Sequence, residues 1–358
     1  MLRTIIICFL TVQLASNFVE IAVSQEPTSA RPVNDWIRTG KSRFNSAEVI
    51  SKYDRNGDQQ ISVDEWPLKR EIFDRIDRDW SGTLSAVDFE WSKDGVLGKQ
   101  KETTFALFKS VDTDSNGRIS AEEWKSLFEK GSGDLEYLNE ERLEQLIYQP
   151  RVIKTAKEET LRKGRTEYSP TSLAAMPVPQ PGQVAPDFEL SSPDGSRTVR
   201  LSQFRGNKPV VLVFGCYTCG NYRTYSSSIE ELYEFWSPDV EFLRVYVREA
   251  HPTDDSKPAT STNKQAGILF KQPETLKERC QIATQFTASM NITTPIVVDG
   301  IDNQVGQDYG AWPDRLYIID RNGVVAFTGG PGPFGFNPRE MEQSLVMLTL
   351  DEVAKLPK

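Results

Sequence analysis

The chain has 358 residues, enough for about two domains at roughly 150 residues each. Its 38% hydrophobic and 26% charged content exclude a wholly disordered chain. A net charge of −9, from 42 basic and 51 acidic side chains, argues against a nucleic-acid partner and for a cation ligand. With four cysteines and one histidine, a His-rich zinc site and a disulfide-dense mini-fold are also excluded.

Residues 1–24 read as an export signal. Arg3 supplies the positive start, Thr4 to Ala15 is mostly apolar, and Ala22-Val23-Ser24 before Gln25 fits a small-x-small cleavage site. A secreted or periplasmic location follows, with an uncleaved membrane anchor as the alternative. No other segment approaches the about 20 apolar residues of a membrane span. Cys8 would leave with the signal, so the mature chain keeps Cys216, Cys219 and Cys280. In an oxidising compartment an odd count means one pair plus a free thiol, or a reactive site.

Composition then divides the chain. Residues 25–43 are polar and expected to be mobile. Residues 44–130 carry 18 acidic and 13 basic side chains and so hold −5 of the net charge. Residues 131–184 combine a charged helical segment, with Leu135, Leu138, Leu143, Leu146 and Ile147 near helical spacing, and a linker with prolines at 170, 177, 179 and 181. From 185 to 358, short β-branched runs (Val210–Phe214, Val240–Val247, Ile296–Val298, Leu316–Ile319, Val324–Phe327) alternate with helical stretches near 221–236, 273–290 and 338–355, an α/β layout.

Residues 44–130 hold three acidic loops. Asp112-Thr-Asp114-Ser-Asn116-Gly117-Arg118-Ile-Ser120-Ala-Glu-Glu123 has oxygen donors at positions 1, 3, 5, 7, 9 and 12, with Arg118 offering its backbone carbonyl, and glycine at position 6. This is the pattern of an EF-hand calcium loop, in which glycine makes the sharp turn and the last carboxylate binds through both oxygens. The loop Asp54, Asn56, Asp58, Gln60 and Glu65 matches except at position 6, where Gln59 must adopt a left-handed conformation costing on the order of 1 kcal/mol. The loop Asp77, Asp79, Ser81, Thr83 and Asp88 ends in aspartate, whose shorter side chain reaches bidentate contact less easily. Loops one and two start 23 residues apart, so a single helix exits one and enters the other; loops two and three, 35 apart, have the span of an ordinary pair. Flanking aromatics such as Trp66, Phe73, Phe105 and Trp124 read as core packing. Calcium is the expected cofactor, in a structural or docking role, with regulation as the alternative.

The second half is expected to carry a reactive thiol. Val210 to Phe214 fits a buried strand, and a helix begins soon after Cys219. A thiol at a helix N-terminus meets the positive end of the dipole, which favours thiolate. Cys219 stands where a thioredoxin places its attacking cysteine, but the position of the usual second cysteine is Tyr222; Cys216 lies upstream instead. Cys216 is either a resolving thiol or a small buried side chain, and Cys280 either a second resolving thiol or core.

The opening Ala185-Pro-Asp-Phe-Glu-Leu190, Leu201-Ser-Gln-Phe-Arg-Gly206 and Pro209 to Gly215 resembles thioredoxin-fold proteins. Phe214-Gly-Cys216-Tyr-Thr218-Cys219 resembles the active-site signature of the iodothyronine deiodinases, with Cys219 at the selenocysteine position. Tyr246-Val-Arg-Glu249-Ala-His251, Arg279-Cys280, Asp302-Asn303, Tyr309-Gly310, Arg315 and Gly329 to Phe334 follow in the family's order. The resemblance spans roughly residues 185–350. With the acidic loops before it, the resemblance implies a multidomain chain: an all-α EF-hand module followed by an α/β thioredoxin-like fold.

It further implies an oxidoreductase that removes iodine from iodinated phenols. Cys219 would be the nucleophile, Cys216 the resolving thiol and Thr218 part of the signature. His251 would act as general acid, oriented by Glu249 and Tyr246, and Arg315 would bind a substrate carboxylate. An external thiol reductant and a homodimer are implied by the same analogy. The chain departs from the family at Pro273, which stands where the family has a second histidine, and in the sulfur of Cys219. These departures keep two alternatives in view: a general thiol-disulfide oxidoreductase or peroxidase, and a non-catalytic calcium-dependent binding protein. For Arg315 the alternative is pairing with Asp314 or a surface acid; for His251, a structural role.

Overall fold

In the N-terminal half, short helices alternate with the acidic loops. The computed structural model describes residues 39–92, 95–147, 178–254, 259–333 and 335–355. The export signal expected at 1–24 and residues 148–177 of the connecting segment lie outside them.

Strand β1 (Lys41–Ser42) precedes helix α1 (Ser46–Tyr53), whose N-cap Asn45 accepts the Ala47 N–H. The first acidic loop leads to β2 (Ile61–Ser62), and Trp66 then packs edge-on against Phe73 of α2 (Arg70–Ile76). The second loop contains β3 (Thr83–Leu84). Strands β2 and β3 pair antiparallel, Ile61 opposite Leu84, and both side chains are fully buried. The bridge therefore joins loops one and two, not two and three as their spacing implied. The short α2 lets the chain fold straight back, and two buried apolar residues seal the pair. Ile119, at the equivalent place in loop three, is exposed.

Helix α3 (Val96–Val111) enters loop three and α4 (Ala121–Ser132) leaves it, with a capping box between Ser120 and Glu123. Helix α5 (Glu140–Ile147) is the described part of the charged segment; its Leu146 packs with Val111 and Leu127.

The second half is built on one sheet. Hairpin β4 (Glu189–Ser191) and β5 (Thr198–Arg200) leads to β6 (Val210–Gly215), every residue of which is buried. Then come α6 (Gly220–Thr224), α7 (Ser226–Trp236), β7 (Glu241–Tyr246), α8 (Ser261–Gln265), α9 (Leu276–Met290) and β8 (Ile296–Val298). The chain ends with α10 (Gln304–Asp308), β9 (Arg315–Ile319), β10 (Val325–Thr328) and α11 (Pro338–Ala354). Sheet order is β1-β10-β9-β6-β7-β8-β4-β5. Strands β6, β7 and β8 run parallel, whereas β9 is antiparallel to β6, and β10 to β9. A parallel β–α–β unit flanked by an antiparallel pair and closed by a helix is the thioredoxin-like arrangement. Lys41 and Ser42 pair with Thr328 and Phe327, so the end of the segment expected to be mobile forms the sheet edge.

This topology sets the C-terminal ends of β6 and β7 beside the start of β9. Cys216, Glu249 and Asp314 are thereby gathered at one end of the sheet. The acidic-loop segment packs on the same body. Gln343 of α11 donates to the carbonyls of Ile76 and Asp88 and accepts from the Trp91 indole, and Arg75 pairs with Glu342. Loop three rests on the helices after Cys219. Arg223 donates to the Ser115 carbonyl at 3.2 Å, and Ser227 donates to that of Gly117.

Candidate active site and acidic loops

Cys216 follows β6, and the chain turns at once: the Cys219 N–H donates to the Cys216 carbonyl at 3.2 Å. Cys219 is the N-cap of α6. The turn is held from β7. The Glu249 carboxylate accepts the Thr218 N–H at 2.9 Å and the Thr218 hydroxyl at 2.6 Å through one oxygen, and the Tyr246 hydroxyl through the other. Tyr246 also accepts the Tyr217 N–H at 3.0 Å. The Ala250 and His251 N–H groups donate to the Thr218 hydroxyl at 3.0 and 3.1 Å.

Cys216, Tyr217, Thr218, Cys219, Tyr246 and Glu249 are all buried, and His251 is half-buried. Glu249 and Tyr246, expected to orient His251, bond to each other. One Glu249 oxygen binds Thr218 and the other Tyr246, and the His251 backbone N–H joins this network through the Thr218 hydroxyl. Burial raises the Glu249 carboxyl above the ordinary range, and its hydrogen bonds oppose that rise.

The thiols differ from the expectation too. Cys219 is 4% exposed, and its thiol donates to an Asp314 carboxylate oxygen at 3.5 Å. Burial, then the Asp314 charge, push its pKa well up; the Tyr222 N–H and Arg223 act the other way. A five-residue helix behind a desolvated thiol does not offset that, so the resting Cys219 is a neutral thiol rather than a thiolate. Burial raises Cys216 as well, followed by Glu249. Asp314 is fully buried, and burial lifts its carboxyl to about 6 although Asn221 donates to it at 2.8 Å. Cys280 lies on α9 and packs against the main core, and all three thiols are unpaired.

Arg315, expected to grip a substrate carboxylate, is 1% exposed. Its position opposite Phe214 turns the guanidinium inward, where it donates to the carbonyls of Gly310 and Gly329 at 2.8 and 2.9 Å. Among the described residues it forms no ion pair with Asp314 or a surface acid. A half-buried cation, Arg248, lies elsewhere. A polar cavity of about 470 Å³ is lined by Arg248, Glu249, Pro273, Arg279, Asn303 and Trp312 among others, with Arg248 stacked 4.5 Å over Trp312. Pro273, at the family's histidine position, forms part of its wall.

The three acidic loops keep turn geometry. Asp54 accepts the Gly57 and Gln59 N–H groups, and Gln59 has φ +65°, the left-handed conformation its place demands. Glu65 accepts from Arg55, Asn56 and Ser62. Carboxylate oxygens of Asp77, Asp79 and Asp88 lie within 4.8 Å of one another, as do those of Asp112, Asp114 and Glu123. In loop three Asn116 and Arg118 continue the same N–H to oxygen turn. Burial, with Asp114 and Glu123 adding repulsion, raises Asp112 to about 6.

The family model for iodothyronine deiodinase matches residues 160–348, more than half of the chain. The chain belongs to the iodothyronine deiodinase family. The matched span contains the cysteine turn, Glu249 to His251 and Asp314-Arg315. A second family model, EF hand, matches residues 106–128, which hold loop three. Thyroxine 5-deiodinase of Ovis aries is 32% identical over 161 residues, 45% of this chain and 53% of the relative. That of Homo sapiens is 30% identical over 45% of this chain and 51% of the relative. The chain thus spans about half the length of these deiodinases. Solved structures that match include a reduced 2-Cys peroxiredoxin of Plasmodium vivax, 20% identical, covering 48% of this chain and 98% of that one, with a TM-score of 0.34. Another is the exposed lipoprotein thioredoxin of Streptococcus pneumoniae, 20% identical, covering 45% and 99%, with a TM-score of 0.30.

Within this deiodinase-family site, sequence reasoning missed Asp314 as a neighbour of Cys219. It also missed Asn221, which donates to Asp314, and Asn263, which donates to the Thr218 carbonyl at 2.9 Å and accepts from Arg223. Asp314 directly precedes Arg315, whose family match drew the attention; adjacency to a matched position was the signal available. Asn263 is distant in sequence and carries no pattern. Among the described residues, no helix is long and apolar enough to cross a membrane.

Proposed function

We propose that this chain is an exported, calcium-binding thiol oxidoreductase that reductively removes iodine from iodinated phenols. Family membership supports the reaction class. The carrying observation is the Cys219 thiol set against Asp314, in a turn clamped by Glu249.

Asp314, with a carboxyl near 6, is ionised at neutral pH and placed to take the Cys219 proton when an electrophile arrives. The sulfur then attacks iodine. The carbon–iodine bond breaks, its electron pair stays on carbon, and carbon takes a proton, a role for His251. The products are the deiodinated phenol and a sulfenyl iodide on Cys219. The Cys216 thiol displaces iodide from that sulfur, giving a Cys216–Cys219 disulfide, iodide and a proton. An external dithiol reduces the disulfide and is itself oxidised. Arg248, stacked on Trp312 in the cavity beside Glu249, is the accessible cation for a substrate carboxylate.

The donor sets of the acidic loops fit calcium. They offer hard oxygens only, and in each of loops two and three, three carboxylates bring oxygens within 4.8 Å of one another, a spacing that a divalent cation would suit. Asp112, Asp114, Asn116, the Arg118 carbonyl and Glu123 would hold one ion. Bound calcium would supply charge neutralisation and would stiffen the loop resting on Arg223.

The test is iodide release from a small panel of iodinated phenols with excess dithiol, comparing wild type with Cys219→Ser. Release that depends on Cys219 supports dehalogenation. Insulin reduction or peroxide consumption without iodide release would replace it with the thiol-disulfide or peroxidase reading, which the two neighbouring thiols also favour.

A further inference from the structure

A second cavity, of about 490 Å³, lies between the acidic-loop segment and the sheet body. That volume is in the range of small-molecule sites. Neither Cys219 nor any residue of the Glu249 cavity lines it. Its walls are aromatic and aliphatic: Trp91, Leu97 and Phe105 from one side, Tyr225 and Pro338 from the other. Phe105 and Tyr225 are stacked, with ring centroids 5.9 Å apart and planes 17° from parallel.

Three cations converge on this apolar space: Arg78, Lys101 and Arg339. Arg78 is spoken for. It stacks 3.4 Å over Trp91 and donates to the carbonyls of Asp88 and Glu90. Lys101 and Arg339 are not; among the described residues neither makes a hydrogen bond or an ion pair. The Lys101 ammonium instead sits between two rings, 5.8 Å from that of Trp91 and 5.9 Å from that of Tyr225. Two acids face the group. Asp79 lines the cavity but belongs to the second acidic loop. Glu340 is buried and occupied by the Gly40 N–H and the Asn337 amide. Burial, with Arg78 and Arg339 adding repulsion, holds the Lys101 ammonium down to about 8 against the pull of Glu340. In a chain of net charge −9, clustered cations over aromatic walls are chemistry for an anion with a flat apolar body.

We propose that this cavity binds a small aromatic carboxylate, its ring against Trp91, Phe105 and Tyr225 and its carboxylate on Lys101 and Arg339. The site is separate from the cysteine chemistry and does not depend on it.

The experiment titrates the full chain with 4-biphenylcarboxylate by calorimetry, using 4-biphenylmethanol as the neutral counterpart. One saturable site per chain is expected, with the alcohol at least tenfold weaker. Arg339→Gln and Lys101→Met should each weaken the carboxylate about tenfold or more, while Lys101→Arg keeps most of the affinity. Arg248→Gln, in the other cavity, should leave it unchanged. Absence of binding, equal affinity for the alcohol, or loss on Arg248→Gln with none on Arg339→Gln would overturn the proposal. Arg339 is exposed, so its variant decides the matter even where Lys101→Met does not fold.

Discussion

Glu249 holds Thr218 twice through a single carboxylate oxygen, by its backbone N–H and by its hydroxyl. A buried acceptor bonded this way fixes the residue immediately before Cys219, so the acid acts on Cys219 through the chain. Glu249→Gln replaces one acceptor oxygen with an amide that faces either the Tyr246 hydroxyl or the Thr218 donors. One buried hydrogen bond is lost and a donor opposes a donor, a cost of about 2 kcal/mol in unfolding stability. Chemical denaturation measures that cost. Iodide release should fall further than stability explains, and a full-rate variant would separate Glu249 from the chemistry.

Asp314 and Cys219 oppose each other's charge. Asp314→Asn removes the negative neighbour, so the Cys219 pKa should fall and iodoacetamide alkylation at neutral pH should speed up. Iodide release should slow at least tenfold because the proton acceptor is gone. An alkylation rate unchanged by Asp314→Asn would mean the carboxylate does not bear on the thiol.

The same residue predicts a pH dependence. Its folded pKa, about 6, lies above the ordinary aspartate value, so the folded state favours the protonated form. The cost of the buried charge is fully present above about 6 and disappears as pH falls to the unfolded value near 4. Asp314 therefore makes stability rise as pH drops through that window, by roughly 3 kcal/mol at most. Unfolding curves of wild type and Asp314→Asn should diverge as pH rises from 4 to 6.

Gln59 predicts a gain. Its φ of +65° is one that glycine adopts without steric cost, so Gln59→Gly should stabilise the first acidic loop by about 1 kcal/mol. Calcium should raise the melting temperature of the chain, and Glu123→Gln should reduce that rise. No calcium effect in wild type would remove the ion from the account.

What the sequence disclosed follows from how local each feature is. The strand Val210–Gly215 is one apolar run, and each acidic loop carries its donors within twelve residues, so both were readable. The register of His251, Glu249 and Thr218 was only half readable: their order matched a family, but which atoms meet depends on how β6 and β7 are staggered. Loop pairing was misread because spacing gives the length of a connection and not its direction; the buried contact of Ile61 with Leu84 decides it. The charge state of Cys219 was misread for a similar reason. A helix start is visible in sequence, whereas burial beside Asp314, 95 residues away, is not.

Loop three reaches the residues after Cys219, and a single methyl group tests that contact. A Cβ on Gly117 would stand 2.3 Å from the Arg223 carbonyl oxygen, and the residue has φ +77°. Gly117→Ala therefore incurs both a backbone penalty and a clash with the helix that follows Cys219. Gly57, in the first loop, has φ +81° and nothing within 4 Å of its would-be Cβ, so Gly57→Ala incurs the backbone term alone, about 1 kcal/mol. The clash at Gly117 can be relieved only by lifting loop three or by shifting Arg223, which donates to the Tyr217 carbonyl inside the cysteine turn. Gly117→Ala should thus slow Cys219-dependent turnover severalfold, and Gly57→Ala should leave it near wild type. Comparing the two variants in denaturation and in iodide release separates the cost of a left-handed backbone from mechanical contact with the site. Equal effects on turnover would mean that loop three merely abuts the helix after Cys219.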